Sequence, residues 1–221
     1  MSYEEPTSLS EAPKTLEHQT HYHHKPRGFS DRLAYGLVHF AARTADIFFV
    51  KRYGHRAVVL ETVAAIPGMV GGTFQHLKAL RRFRDDNGWI RTLLDEAENE
   101  RMHLMVYICV AKPTTIERLF IIVVQVIIYN VFFLMYFLSP RTAHRFVGYL
   151  EEEAVHSYTA YLDQLRAEPE KNIPAPEIAI KYWNLDKDAR MIEVVEATRK
   201  DEMHHRDVNH DFANRILHNH L

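Results

Sequence analysis

The chain has 221 residues, of which 47% are hydrophobic, and a formal net charge of -2 at pH 7. This length suits one domain with a substantial core, and the near-neutral charge argues against bulk binding to nucleic acid. The single cysteine, Cys109, excludes an intramolecular disulfide framework and fits a reducing compartment. Its apolar neighbours predict that it packs in the core.

The first 30 residues are rich in proline, serine and histidine, and they predict a disordered tail ahead of one helical domain over 31–221. The opening stretch "MSYEEPTSLSEAP" is acidic and has no apolar run, so it resembles neither a secretory signal nor an Arg-rich transit peptide. The stretch "HQTHYHHK" is expected to be a solvated polar segment, with adventitious metal binding as the alternative.

The remainder predicts an all-α domain, because helical periodicity recurs between breaks and only eight glycines occur, none after Gly148. Pro113 and the pair Ser139–Pro140 bound one strongly apolar helix. The expected helices cover 31–50, 54–82, 85–112, 115–138 and 141–166, a short segment around Trp183, and 186–218.

Two long helices carry the same motif, a glutamate followed three positions later by a histidine: Glu100–His103 and Glu202–His205. Positions three apart lie on one face of a helix, where both side chains can bind a single ion. The composition alone yields about one such match, so the number of matches decides nothing and the placement must be considered.

Placement on the helix faces is more informative. Both motifs lie on mixed apolar stripes that would face a bundle core, where an unpaired carboxylate is costly. Two further helices each place one glutamate on such a stripe, Glu61 and Glu151. A third match, Glu153–His156, points to another side of its helix.

Four helices therefore supply four glutamates and two histidines, the donor set of carboxylate-bridged di-iron bundles. Such a set suits iron or manganese better than zinc, whose structural sites favour thiolates. The sequence predicts a ferritin-like four-helix bundle with a dimetal site. The expected ligands are Glu61, Glu100, His103, Glu151, Glu202 and His205.

Five segments resemble motifs of the alternative oxidases, the di-iron ubiquinol oxidases: "LETVAAIPGMVGG", "EAENERMHL", "HRFVGYLEEEAVHSYT", "YWNL" and "DEMHHRDVNH". The resemblance runs from about Phe29 to the C-terminus. It implies two iron ions held by the same six residues, ubiquinol and O2 as substrates, and a homodimer attached to one leaflet of a membrane.

The resemblance also implies roles for individual positions, with Tyr158 matching the family's redox-active tyrosine. Positions that orient the ligands or complete a hydrogen-bond network match Asn99, His144, Trp183 and Asp201. Positions that line the quinol pocket match Arg56, Leu60, Leu150, Glu153 and Ala154. The regulatory cysteines of plant members have no counterpart here, so control through a disulfide is not expected.

Residues 119–138 carry no charge and match the thickness of a bilayer core. If they crossed a membrane, Glu100 and Glu151 would lie on opposite sides and the predicted ligands could not meet. We therefore expect this helix to lie in one leaflet, together with the amphipathic helix over 31–50. A purely buried core helix is the alternative.

The predicted function is a membrane-bound quinol oxidase of the respiratory chain, which passes electrons from ubiquinol to O2 and yields water without pumping protons. The alternatives are a di-iron quinone-ring hydroxylase, a plastoquinol-type terminal oxidase, a ferritin-like iron store, and a non-catalytic bundle with structural metals. The composition of the first residues favours the inner face of a bacterial cytoplasmic membrane, with the matrix face of the mitochondrial inner membrane as the alternative.

Overall fold

The computed structural model describes residues 20–49 and 52–217. Within these ranges the regular structure is helical, with one isolated bridge between Pro174 and Arg190. The all-α fold predicted from the sequence is therefore confirmed. The helices are α1 (Phe29–Phe49), α2 (Tyr53–Arg82), α3 (Trp89–Ala111), α4 (Thr115–Leu138), α5 (Pro140–Ala167), α6 (Glu177–Trp183) and α7 (Met191–Leu217), with a short 3-10 helix at Pro169–Lys171.

The ends of α4 and α5 follow from local hydrogen bonding. The Thr114 side chain accepts from the backbone N–H of Glu117, and the Glu117 side chain accepts from the backbone N–H of Thr114. This capping box satisfies donors at the first turn of α4. At the other end Ser139 caps α5, and Pro140 occupies the first helical position, where its missing N–H costs nothing.

Two helices begin later than the sequence predicts. Gly88, with φ of 81°, precedes α3, so the helix starts at Trp89 and not at residue 85. Residues 186–190 form a turn in which the Ala189 N–H donates to the Asp186 carbonyl at 3.0 Å. That turn delays α7 to Met191, because polar turn residues satisfy their backbone groups locally instead of continuing a helix.

The core of the fold is a bundle of α2, α3, α5 and α7. Helix α2 packs along α3, and α5 packs along α7. Helix α1 lies on α5, and α4 lies on α2 and α5, so both flank the bundle. The predicted bundle with two additional helices is confirmed.

Apolar clusters lie above and below the centre of the bundle. One contains Val58, Val106, Tyr158 and Val195. The opposite end holds two further clusters, built around Ile66, Val147, Leu93 and Phe212. Each bundle helix therefore runs from one apolar layer to another, and its glutamate falls between them.

Helices α2 and α3 approach closely at Gly68. A Cβ atom placed there would lie 3.0 Å from both the Cβ and the backbone N of Ala97, which is tighter than close-packed interiors tolerate. The small residues at these two positions let the helix that carries Glu61 approach the one that carries Glu100.

Helix α1 is fixed to the bundle by a buried ionic network. Asp31 is fully buried and accepts from Arg145 Nε at 3.2 Å and from Arg141 Nη2 at 3.1 Å. The extended residues before α1 also contact the bundle, since His23 Nδ1 lies 2.5 Å from a Glu152 oxygen and the His24 N–H donates to the other at 2.8 Å. The division into a tail over 1–30 and a domain over 31–221 stays a prediction, and residues 1–19 lie outside the described ranges.

Within the described residues two helices are long and apolar enough to span a membrane, α2 and α4. The apolar stretch of α2 is mostly buried as a core helix, whereas only 11% of that of α4 is buried. The alternative of a purely buried helix over 119–138 is therefore wrong. Cys109 is also exposed, so the prediction that it packs in the core is wrong: it occupies the outer face of α3.

We expect the change Gly68→Ala to lower the free energy of unfolding by about 1–3 kcal/mol, because the added methyl group overpacks the α2–α3 contact. The matched control is Gly36→Ala in α1, where a Cβ would meet nothing within 4 Å. This change should raise the free energy of unfolding by about 0.5–1 kcal/mol, because alanine favours a helix over glycine. Urea unfolding of both variants measures the difference. Equal stability of the two variants would contradict the close approach.

Candidate dimetal site

All six predicted ligands lie in the middle of the bundle, and none is more than 5% exposed. Each bundle helix carries one or two of these residues on its inward face. The residues are Glu61 from α2, Glu100 and His103 from α3, Glu151 from α5, and Glu202 and His205 from α7.

Four of them converge most tightly. Glu61, Glu100, His103 and Glu202 each offer one donor atom, and these atoms all lie within 4.8 Å of one another. The His103 Nδ1 atom is 3.3 Å from a Glu61 oxygen, 3.5 Å from a Glu100 oxygen and 3.2 Å from a Glu202 oxygen. Potential metal-binding atoms from three helices thus meet in one small region.

The remaining two residues extend this group to the fourth helix. His205 Nδ1 lies 2.6 Å from Glu100 Oε1 and 3.4 Å from Glu202 Oε2. The Glu151 carboxyl is buried, and burial together with the negative charges of Glu202 and Glu100 raises its pKa well above the usual value. The structure therefore brings all six predicted residues into one polar layer.

The donor atoms of this layer have little else to bind. Outside the layer, no described residue forms a hydrogen bond with Glu61 Oε2, with either oxygen of Glu100 or Glu202, or with the Nδ1 atoms of His103 and His205. Buried polar atoms are nearly always paired, so unpaired ones that share a centre need an explanation. Cations bound between the carboxylates supply one, and the residues fit a dimetal site.

The pKa shifts of the buried glutamates also favour a cation site. Burial and the charges of Glu100 and Glu202 raise the pKa of Glu61 well above its usual value. Burial acts the same way on Glu100, but the neighbouring imidazoles outweigh it and hold that pKa well below its usual range. Without cations the layer must share protons, because several buried carboxylates cannot all be ionised at such distances.

Asp201 fixes the orientation of His103. Its Oδ2 atom accepts from His103 Nε2 at 3.2 Å, Trp183 Nε1 at 2.9 Å and Asn99 Nδ2 at 3.1 Å. With the Nε2–H engaged, Nδ1 keeps its lone pair toward the glutamates, as a metal-binding histidine requires. The structure thus joins three of the four residues predicted to orient ligands. Tyr182, which accepts from Asn99 at 2.7 Å, was missed by the sequence analysis.

The fourth of these residues, His144, belongs to a second network. Burial lowers the pKa of His144 to about 4, so its neutral ring has one donor and one acceptor nitrogen. The Nδ1 atom lies 2.9 Å from Asn209 Oδ1, and Nε2 lies 3.0 Å from the Tyr136 hydroxyl. The Asn209 amide in turn donates to both oxygens of Glu96 at 3.0 Å.

Glu96 is the main residue that sequence reasoning missed. It shares an inward stripe with Glu100, and burial raises its pKa to about 7. Asn209 likewise lies on the stripe of Glu202 and His205, and its amide also donates to the His205 carbonyl at 3.0 Å. Both residues lie one helical turn from a predicted ligand on the same inward stripe, and this position was the sequence signal that could have identified them.

Tyr158 lies against the predicted ligands. Its hydroxyl donates to Glu61 Oε1, and its ring is 3% exposed. The Tyr107 ring stacks on it with centroids 5.6 Å apart, and the Tyr107 hydroxyl donates to Thr198 at 3.2 Å. Only the hydroxyl of Tyr158, among these two, faces a carboxylate.

The residues predicted to line a quinol pocket lie where α1, α2 and α5 meet. Arg56 pairs with Asp46 of α1, and Glu153 faces His39 of α1. Leu150 packs beside α1, while Ala154 packs against the main core. Leu60 is half-buried, one residue before Glu61. Contacts with α1 thus place Arg56, Leu150 and Glu153 at one junction, and the part of all five residues in quinol binding stays a prediction.

Comparison with known proteins gives one family. A model of the family described as alternative oxidase matches residues 11–214. The chain is 55% identical over 194 residues, 88% of its length, to "Ubiquinol oxidase 2, mitochondrial" of Glycine max. It is 57% identical over 194 residues to "Ubiquinol oxidase 1a, mitochondrial" of Oryza sativa subsp. japonica, again over 88% of the chain. It is 55% identical over 195 residues, also 88%, to "Ubiquinol oxidase, mitochondrial" of Batrachochytrium dendrobatidis.

These relatives are longer than the chain, which covers 58% of the soybean and rice proteins and 62% of the chytrid protein. Each is named mitochondrial, and this overturns the prediction of a bacterial cytoplasmic membrane. That prediction rested on the composition of the first residues, and the composition of so short a stretch is a weak guide to the membrane that a protein occupies.

The match covers nearly the whole helical bundle, including each helix that supplies a predicted ligand. The chain belongs to the alternative oxidase family.

Proposed function

We propose that the protein is a membrane-bound ubiquinol oxidase, which oxidises two quinols and reduces one O2 to two waters without pumping protons. The observation that carries this proposal is the convergence of four buried glutamates and two buried histidines, most of whose donor atoms have no hydrogen-bond partner outside the cluster. The printed names of the relatives, ubiquinol oxidases, support the choice of substrates.

The cofactor we propose is a pair of iron ions held by Glu61, Glu100, His103, Glu151, Glu202 and His205. The oxygen-rich donor set suits iron or manganese, and the family favours iron. Glu100 and Glu202 each place one oxygen near His103 and the other near His205, so these two carboxylates, and not Glu61 and Glu151, are the ones that two ions could share. When bound, the iron pair supplies the electron transfer to O2 that amino-acid side chains cannot provide.

We assign Tyr158 the role of an electron and proton donor. A phenol that loses an electron must also lose its proton, and the hydroxyl donates directly to Glu61 Oε1. The proton therefore has an acceptor at the moment the electron leaves. Tyr107 has no carboxylate to accept its proton, since its hydroxyl donates to Thr198, which donates to the Val194 carbonyl. Hydrogen bonding therefore favours Tyr158 over its stacked neighbour.

The quinol is proposed to bind where Arg56, Leu60, Leu150, Glu153 and Ala154 border the junction of α1, α2 and α5. This junction combines apolar side chains for the ring with a carboxylate that can accept from a quinol hydroxyl. Leu60 directly precedes Glu61 in α2, and Glu153 lies two residues from Glu151 in α5. A ring held there would lie close to the proposed iron ligands.

We also propose attachment to one leaflet through α1 and α4. Helix α4 exposes a row of large apolar side chains, including Leu119, Val126 and Phe137, and α1 exposes Leu33, Leu37 and Phe40. Such surfaces are large for a soluble protein and suit a helix lying in the headgroup region. The matrix face of the mitochondrial inner membrane is the proposed location. The homodimer implied by the family stays a prediction.

Oxygen uptake by the iron-loaded protein with a short-chain ubiquinol tests the activity. We expect cyanide-insensitive uptake that Glu100→Ala abolishes, because a donor of the iron site is removed. Tyr158→Phe should lower kcat by on the order of 100-fold or more, since the proton donor is lost. The control Glu98→Ala, on the exposed face of α3, should leave uptake unchanged.

Each alternative gives a different result in this assay. A quinone-ring hydroxylase would place labelled oxygen in the organic product. A structural bundle or an iron store would load iron and consume no O2 with quinol. Uptake that survives Tyr158→Phe would remove the tyrosine from the mechanism and keep the oxidase.

The change Asp201→Ala should weaken ferrous iron binding about 10–100-fold, because His103 loses the acceptor that sets its tautomer and orientation. Anaerobic iron titration measures the affinity. Asp211→Ala is the control, since Asp211 pairs only one turn away with Arg215 on the surface of α7. Equal affinities of the two variants would contradict a role for Asp201 in orienting the ligand.

Membrane attachment is tested by cosedimentation with phosphatidylcholine vesicles. The change Val126→Glu places a charge on α4 at a side chain that is 59% exposed. It should weaken binding by on the order of tenfold or more, because buried apolar area is lost and a charge enters the lipid boundary. The control Leu217→Glu alters a side chain that is 52% exposed at the end of α7 and should bind as the unmodified protein does. Binding that Val126→Glu leaves intact would rule out this face of α4.

A further inference from the structure

We propose that His39 accepts the phenolic proton of the quinol, as the imidazole of a Glu153–His39 pair. This inference rests on the proposed quinol oxidation and adds a residue that neither the sequence motifs nor the family resemblance assigned. His39 would be the base for quinol oxidation, and it would act from the α1 side of the proposed pocket.

His39 faces the bundle from α1. It follows Val38, which is fully buried in a cluster with Ala34 and Tyr149. The exposed apolar residues of α1, Leu33, Leu37 and Phe40, lie on the outward side of this helix, and the half-buried His39 lies at the edge between that side and the buried side of Val38. A substrate that leaves lipid beside α1 therefore meets His39 at this edge of the helix.

The partner of His39 is the carboxylate of Glu153 on α5. The distance from His39 Nε2 to Glu153 Oε1 is 3.6 Å, and the two side chains are 34% and 27% exposed. This separation is an ion-pair distance, longer than a hydrogen bond. A carboxylate on this side favours the tautomer that carries the proton on Nε2.

The other ring nitrogen, Nδ1, is buried and has no hydrogen-bond partner among the described residues. In the tautomer that Glu153 favours, Nδ1 is an acceptor with a free lone pair. A buried acceptor without a partner costs free energy, and a hydroxyl donor from a bound molecule would remove that cost. A quinol has such hydroxyls, whereas its quinone product has none.

The surroundings of His39 fit this assignment. The ring packs on Tyr35 one turn earlier in α1, with centroids 3.8 Å apart. Two turns later Asp46 pairs with Arg56 of α2. The pair Glu153–His39 and the pair Asp46–Arg56 thus lie along one face of α1, at the helix junction proposed for the quinol ring.

In the proposed reaction each quinol gives two electrons, which reduce O2, and two protons. The first phenolic O–H bond breaks as its proton moves to His39 Nδ1, and the imidazolium formed is stabilised by the Glu153 carboxylate. The order of groups, carboxylate, imidazole, then substrate hydroxyl, is that of general-base catalysis in hydrolases. The partly exposed ring then releases this proton to water and takes the second phenolic proton in the same way, so both protons of each quinol leave through His39.

The variants His39→Gln and His39→Ala separate binding from proton transfer in the iron-loaded full chain. Glutamine can still accept a hydrogen bond but cannot take the proton, so KM for a short-chain ubiquinol should change by less than about twofold while kcat falls about 100-fold. Alanine should lower kcat and also raise KM, and added imidazole should restore part of kcat. The matched control is His156→Ala, an exposed histidine on α5 that should behave as the unmodified protein.

A second measurement does not depend on turnover. Under anaerobic conditions the metal-free protein should bind the ubiquinol more tightly than the corresponding ubiquinone, and His39→Ala should remove that difference. Iron content and thermal unfolding of each variant check that α1 remains in place.

Three outcomes would overturn the proposal. They are a kcat within twofold of the unmodified protein in both His39 variants, a loss of kcat matched by an equal loss of bound iron, and an unchanged preference for quinol over quinone in His39→Ala. An unmodified protein that consumes no quinol yet shows a preference for quinol that depends on His39 would reject the proposed oxidase while keeping the hydrogen bond to Nδ1.

Discussion

The burial of four carboxylates and two imidazoles at the centre of a helical bundle is the constraint on which the rest of the structure depends. Carboxyl groups buried so close together are stable only when cations offset the negative charges or when some of the groups are protonated and neutral. The donor atoms of Glu61, Glu100, His103 and Glu202 nevertheless lie within 4.8 Å of one another. Apolar packing does not offset the repulsion between these carboxylates, whereas the metal ions proposed for this site would offset it.

The surrounding structure holds this layer in place from both sides. Asp201 and Trp183 fix His103 from α7 and the end of α6. On the other side His144 and Asn209 connect α5 and α7 with Glu96 of α3. Apolar clusters pack above and below the layer. These two networks therefore hold His103 and the helices α3, α5 and α7 in fixed positions around the layer.

Helices α1 and α4 lie on the outside of the bundle. The outer surfaces of both helices are apolar, whereas the inner face of α1 carries His39 and Asp46 toward α5 and α2. One helix thus offers a surface for lipid and a border for the proposed substrate pocket. The buried contacts of Asp31 with Arg141 and Arg145 hold the start of this helix on α5. This link between surface and pocket suits a substrate that arrives through the membrane.

The sequence by itself determined the helices and the six inward donors, because helical periodicity and the spacing of Glu100–His103 and Glu202–His205 are local properties of the chain. It did not locate the starts of α3 and α7, which the turns at Gly88 and at residues 186–190 set. Only the tertiary structure decided that Asp201 meets His103, that Asn209 meets Glu96 and that His39 faces Glu153. These partners are separated by 98 or more residues along the chain, and contacts between distant helices depend on packing angles that no local pattern encodes.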